Sequence, residues 1–149
     1  MDERDYDPPR LLRTLPSWLL ARAAWTAQAE VRDALAHEGV RRHHFTVLLA
    51  LAEAGPASQA DLGRRLGLDR SDMAAVVADL ERDGRIGRER DPHDRRRNVV
   101  TLTPAGADAL RRLQARVEAA QEALLEPLDA DERAELRRLL TKLVAPPAR

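Results

Sequence analysis

The sequence predicts a mainly α-helical chain interrupted once by a short β hairpin, and three observations carry that prediction. Apolar residues recur at helical spacing along most of the 149 residues. Helix starts are written repeatedly in capping chemistry, an acceptor followed three residues later by a carboxylate. Aromatic residues make up only 3% of the chain, so the core is mostly Leu, Val and Ala, which favours helices over an all-β fold.

Residues 1–10 are polar and end in Pro8-Pro9, a frayed lead-in. Helical spacing runs from Leu11 to about His37, with Pro16 as an early kink or restart, and Gly39 ends the segment. A second helix covers about Arg41 to Ala54 before Gly55-Pro56 breaks the chain. Ser58-Gln-Ala-Asp61 and Asp69-Arg-Ser-Asp72 then open two short helices, about 58–66 and 70–82. Gly67-Leu68-Asp69 joins them so tightly that the pair reads as a helix-turn-helix. Leu62, Leu66, Met73, Val76, Val77 and Leu80 are its expected core, and Gly84 its stop.

Past Gly84 the period changes. Ile86–Arg90 and Val99–Thr103 read as strands, with Val100 and Leu102 on one face. The eight polar residues Asp91-Pro-His-Asp-Arg-Arg-Arg-Asn98 are too many for a tight turn, so the hairpin protrudes as a wing. Thr103-Pro104 caps and starts a long helix whose Leu110, Leu113, Val117, Ala120 and Leu124 form a seam suited to another helix. A last helix runs from Asp129-Ala-Asp-Glu132 to about Val144.

The outer helices carry apolar stripes with no evident partner inside the central unit, so a second copy is expected to cover them. The expected organisation is one domain over residues 1–149. A winged-helix lobe at about 41–103 is flanked by dimerisation helices at about 11–37 and 104–145.

Composition removes several function classes. Cysteine is absent, which excludes disulfides, thiolate metal sites and Cys nucleophiles. No secretory signal opens the chain and no apolar run nears the roughly 18 residues of a membrane span, so a cytoplasmic protein is expected. His37, His43, His44 and His93 are scattered and show no ligand spacing, so no metal or other cofactor is expected. There is no Gly-rich phosphate loop and no Ser nucleophile motif, and Asp61, Asp72 and Glu132 are used up in caps. That leaves little from which to build an active site, and no enzyme is expected.

The basic residues are informative by position. The chain holds 25 basic against 25 acidic residues, yet between Arg85 and Arg97 six arginines face three acids. Arginine on a protruding hairpin beside a helix-turn-helix is the footprint of duplex DNA binding. The planar guanidinium grips phosphate oxygens and enters narrow minor grooves. An apolar wing would have suggested protein binding instead.

Leu80-Glu-Arg-Asp-Gly84, followed by Arg88-Glu-Arg-Asp-Pro-His-Asp-Arg-Arg-Arg-Asn-Val-Val-Thr-Leu-Thr-Pro-Ala-Gly106, resembles the wing signature of the multiple-antibiotic-resistance regulator (MarR) family. The resemblance extends in organisation over roughly residues 10–145. It implies a homodimeric winged-helix transcriptional regulator, usually a repressor whose DNA affinity falls when a small molecule binds. It also implies that Asp94 orients Arg96 into the minor groove while Arg95 and Arg97 meet the backbone, with Arg88 and Arg90 beside them on the wing.

On the second helix of the helix-turn-helix, Arg70 and Ser71 stand near the start. Ala74 and Ala75 occupy positions where many relatives carry Thr and Arg. Alanine touches a thymine methyl but makes no bidentate hydrogen bond to a base, so specificity shifts toward the wing and DNA shape. The expected partner is a pseudo-palindromic operator with half-sites roughly 34–36 Å apart.

On the first helix Leu11, Leu15, Trp18, Arg22 and Trp25 share one stripe. An arginine between two tryptophans suits an aromatic carboxylate or phenolic effector. His43, with His44, could line the same cleft, although adjacent histidines diverge by about 100° and only one can face inward. The alternative is that the stripe is purely structural and the protein a constitutive or architectural DNA binder.

Overall fold

A computed structural model of the chain describes residues 7–91, 94 and 98–145. After a single 3-10 turn at Leu12–Thr14 come α1 (Pro16–Ala36), α2 (Arg42–Ala54), α3 (Gln59–Leu66) and α4 (Arg70–Arg82). The hairpin strands β1 (Ile86–Arg90) and β2 (Asn98–Leu102) follow, then α5 (Pro104–Leu124) and α6 (Ala130–Val144). Pro16 and Pro104 each occupy a first helical position, where the missing N–H has no helical partner to lose.

The chain divides into two compact units. One holds residues 31–118; the other holds the described residues 7–30 and 119–145.

The core lies in the 31–118 unit. α4 turns Met73, Val76, Val77 and Leu80 inward at spacings of three, one and three, the stripe of an amphipathic helix. Leu62 of α3 and Val47, Leu48 and Leu51 of α2 meet them, while Leu66 stays partly exposed. Leu35 at the end of α1 and Leu110 and Leu113 of α5 join the same cluster. This corrects the sequence reading of α5. The first part of its apolar seam has its partners inside this unit, because the stripe is drawn into the core below the wing.

The hairpin pairs in antiparallel register, Ile86 opposite Leu102 and Arg90 opposite Asn98. β2 therefore starts at Asn98, one residue earlier than expected, and ends at Leu102. Thr103 is diverted to cap α5: its hydroxyl oxygen accepts from the Gly106 N–H at 3.0 Å, and its O–H donates to the Gly84 carbonyl at 2.7 Å.

The expected alternation in β2 also fails, since Val99 and Val100 are both buried and Leu102 only partly. Val100 has a neighbour on its other edge. Its N–H donates to the Ala57 carbonyl at 2.8 Å, and the Ala57 N–H donates back at 3.2 Å. A one-residue third strand thus seats the wing against the α2–α3 connection.

In the other unit Asp129 and Glu132 form a reciprocal capping box at the start of α6, as the sequence indicates. No residue of α6 is buried.

Candidate nucleic-acid interface

The recognition surface is set by two side-chain caps. Ser58 Oγ accepts from the Asp61 N–H at 3.1 Å and starts α3; Asp69 Oδ1 accepts from the Asp72 N–H at 2.8 Å and starts α4. Gly67 ends α3 at φ +65°, a left-handed turn that glycine adopts without steric cost. With Met73, Val76, Val77 and Leu80 inside, α4 presents Arg70, Ser71, Ala74, Ala75 and Ala78 to solvent. All four recognition-helix residues singled out from the sequence are therefore on its open face, and Ala78 extends the alanine run.

The strands place Arg88 and Arg90 on β1, both exposed. Arg88 is held: its Nε donates to Glu81 Oε2 of α4 at 2.9 Å, linking the wing to the last turn of the recognition helix. Asp94 is exposed. Arg95, Arg96 and Arg97 lie outside the described residues.

Two charged hubs fix this arrangement from behind. Asp79, on α4, accepts from Arg82 Nη2 at 2.9 Å, Arg41 Nη2 at 3.0 Å and His44 Nε2 at 3.3 Å. The Arg82 hydrogen bond holds its carboxyl below the usual carboxylate range. Glu38, in the α1–α2 turn, receives Arg112 at 3.1 Å and Arg116 at 3.8 Å from α5. Its backbone carbonyl accepts from Arg85 Nη2 at 2.8 Å, at the base of the wing. Arg85 Nη1 is buried without a hydrogen-bond partner among the described residues.

Comparison with known proteins settles the lineage. The MarR family profile matches residues 38–97. The HTH-type transcriptional repressor Rv2887 of Mycobacterium tuberculosis is 31% identical over 85% of this chain and 91% of its own length. The chain belongs to the MarR family.

Three other curated relatives of this MarR chain are matched over less of their length, 32%, 64% and 63%. Among solved structures, Rv2887 in complex with DNA superposes at TM-score 0.76, with 29% identity over 93% of this chain and 100% of that one. The PcaV regulator of Streptomyces coelicolor with its natural ligand gives 0.71, with 33% identity over 93% and 96%. The mainly α fold with a small β wing expected from the sequence is thus the winged helix of MarR proteins.

The candidate effector residues of this MarR chain fall in both units. Trp18, half-buried, and Arg22 and Trp25, both exposed, belong to the unit of residues 7–30 and 119–145. The Arg22 guanidinium lies 5.5 Å from the Trp25 ring centroid, a cation–π contact. His43 belongs to the other unit. It is exposed and lines an open concavity of 340 Å³ with Arg41, Arg42, Asp72, Ala75 and Val76, beside the recognition helix.

Of the two adjacent histidines, His44 is the one that faces inward. Among the described residues no three His, Asp or Glu side chains gather to hold a metal, and no helix is long and apolar enough to cross a membrane.

Sequence reading missed Asp79 and Glu38, and named His44 only as a cleft-lining residue beside His43. Arg41-Arg-His-His44 carried a usable signal, since a capping residue's partner stands three positions on. Glu38 gave none, and Asp79 showed only its local pairing with Arg82, because Arg41, His44, Arg112 and Arg116 lie far from them in the chain.

Proposed function

We propose that this MarR-family chain is a homodimeric transcriptional repressor. It binds duplex DNA with α4 in the major groove and the arginine wing in the minor groove, and a small aromatic or phenolic effector releases it. The observation that carries the DNA reading is the open face of α4. Arg70, Ser71, Ala74, Ala75 and Ala78 are all exposed, and Glu81 on the same helix holds Arg88 of the wing. Small side chains let the helix backbone approach the groove floor closely, and Arg88, Arg90, Arg95, Arg96 and Arg97 of the wing supply phosphate and minor-groove contacts. Solved relatives support both partners: Rv2887 in complex with DNA and PcaV with its natural ligand.

Dimerisation is supported by where the apolar surface lies. Among the described residues the exposed large hydrophobics, from Leu11 at 71% to Val144 at 79%, all belong to the unit of residues 7–30 and 119–145. A second copy would bury them. Light scattering at micromolar concentration tests this, and a monomer there overturns it.

Arg22 against Trp25 supports the effector, offering a cation for a carboxylate beside a ring that stacks. The second reading, DNA binding without an effector, is favoured by the alanine run on α4, which offers few hydrogen bonds to bases.

Fluorescence anisotropy separates these readings, using DNA from upstream of the protein's own gene and a shuffled duplex at several salt concentrations. Tight binding to the upstream fragment alone, weakening steeply with salt, supports a specific repressor. Equal binding to both duplexes supports the architectural reading, and no binding to either at low salt removes the DNA role. A titration of tryptophan fluorescence with phenolic acids then tests the effector.

A further inference from the structure

We propose that His44 and Asp79 are positioning residues of the DNA interface: a neutral imidazole caps α2 and ties the recognition helix α4 to its first turn, and protonation of the ring breaks the cap and re-seats α4. The inference rests on the DNA-binding reading above. Neither residue belongs to the surface offered to DNA.

Hydrogen-bond chemistry fixes the state of the ring. His44 Nδ1 stands 3.1 Å from the backbone nitrogen of Arg41, and that nitrogen can only donate. Nδ1 must therefore carry its lone pair. In the neutral ring the proton is then on Nε2, which donates to Asp79 Oδ2 at 3.3 Å. His44 thus fills the place of the Glu or Gln in a capping box, reaching back three residues to the N-cap amide. Arg41, the N-cap residue, has no acceptor in its side chain, so α2 lacks the Ser or Asp cap that starts α3 and α4.

The same ring therefore performs two tasks. It caps α2, and it holds α4 through the hub that also binds Arg41 at 3.0 Å and Arg82 at 2.9 Å. A second proton on the ring would sit on Nδ1 and point at the Arg41 N–H, leaving two donors face to face. The cap would be lost while the pull of Asp79 on the ring grew, so α4 would be re-seated on α2.

The charged groups around the ring are Arg41 on its own helix side, Asp79 on α4 and Asp83 just beyond α4. Burial and Arg41 push its proton affinity below the ordinary value of 6.5, against the opposing pull of Asp79 and Asp83. The cap is accordingly intact at neutral pH and lost in acid.

DNA affinity measured by anisotropy from about pH 8 to pH 5 tests this on the full-length protein, with three chains compared. Glutamine offers an amide oxygen for the Arg41 N–H and an N–H for Asp79, and it does not titrate. His44→Ala should weaken binding about five-fold near pH 8, the effect of losing a hydrogen bond that seats the helix, and His44→Gln should restore it. As pH falls through the ring's own midpoint, located by the nitrogen NMR below, the wild type should lose affinity relative to His44→Gln by a similar factor. His37, His43 and His93 are present in both chains, so the ratio isolates His44. Parallel pH profiles for wild type and His44→Gln would overturn the proposal.

Nitrogen NMR of the ring provides a second readout that does not need DNA. At neutral pH it should report a bare Nδ1 and a protonated Nε2, with a titration midpoint below 6.5 that falls further in Asp79→Asn. The opposite tautomer would overturn the cap. A wild type that binds no duplex would instead fail the proposed function, and the ring tautomer would still decide whether the cap exists.

Discussion

Gly106 packs against the backbone of Arg85 so closely that a Cβ built on it would lie 1.9 Å from the Arg85 carbonyl oxygen and 2.8 Å from its carbon. The same carbonyl accepts the Thr103 N–H at 3.2 Å, so it cannot swing aside without breaking the link between wing and α5. Gly106→Ala should therefore destabilise the fold by at least roughly 3 kcal/mol, more than ordinary overpacking, because backbone would have to move. Urea unfolding measures this as a lower midpoint at unchanged slope. A variant as stable as the wild type would mean that this approach relaxes freely.

The two parts of the α5–α6 apolar surface should respond differently to truncation. Leu113 is 0% exposed and sits in the core beneath the wing, so Leu113→Ala should cost about 2–5 kcal/mol, independent of protein concentration. Leu143 is 67% exposed, so Leu143→Ala should leave intrinsic chain stability nearly unchanged. If a second copy covers it, the loss appears instead as a concentration-dependent shift toward monomer, read by light scattering alongside thermal unfolding.

Most of the element order was legible because it is written locally. Ser58, Asp69 and Asp129 each cap the helix that the acceptor-plus-three pattern announced, and Thr103-Pro104 starts α5 as expected. The open face of α4 followed from the spacing of its apolar residues. What escaped was long-range. A single residue, Ala57, pairs with Val100 and leaves no periodicity to detect. Arg41 meets Asp79 across 38 residues, and Arg112 meets Glu38 across 74. Such pairs depend on how helices cross, which neither spacing nor composition encodes. The seam of α5 was legible as apolar, yet not as core, for the same reason.

Substitutions on the wing and on α4, the two elements proposed to meet DNA, should separate backbone contacts from base readout. Arg96→Ala should weaken binding to every duplex alike and reduce the salt slope by about one unit, the signature of a lost phosphate or groove contact. Ser71→Ala and Arg70→Ala should act on the preferred sequence more than on a shuffled one, by about 1–3 kcal/mol where a good base contact is lost. Anisotropy titrations over a salt series on both duplexes measure the two effects together. Uniform losses for all three would place sequence discrimination elsewhere, in DNA shape.

Acid should expose the hub at Glu38 as a separate weak point. Its carboxylate takes the Arg112 guanidinium at 3.1 Å and lies near Arg116 at 3.8 Å, with Arg85 on its backbone carbonyl at 2.8 Å. The Arg112 hydrogen bond holds the carboxyl below its ordinary value of 4.5, outweighing the burial that pushes it up, and the charges of Arg112, Arg116 and Arg85 act in the same direction. The folded value lies below the unfolded one, so the ionised carboxylate stabilises the fold at any pH above about 4.5. That contribution is lost as pH falls through the depressed value. Glu38→Gln keeps the shape and removes the negative charge that faces Arg112, Arg116 and Arg85. The variant should melt below the wild type near pH 7, and the gap should close as pH is lowered below about 4. Thermal unfolding across that range checks it: a gap that persists unchanged to about pH 3 would mean that packing, not the ionised carboxylate, is what the substitution removes.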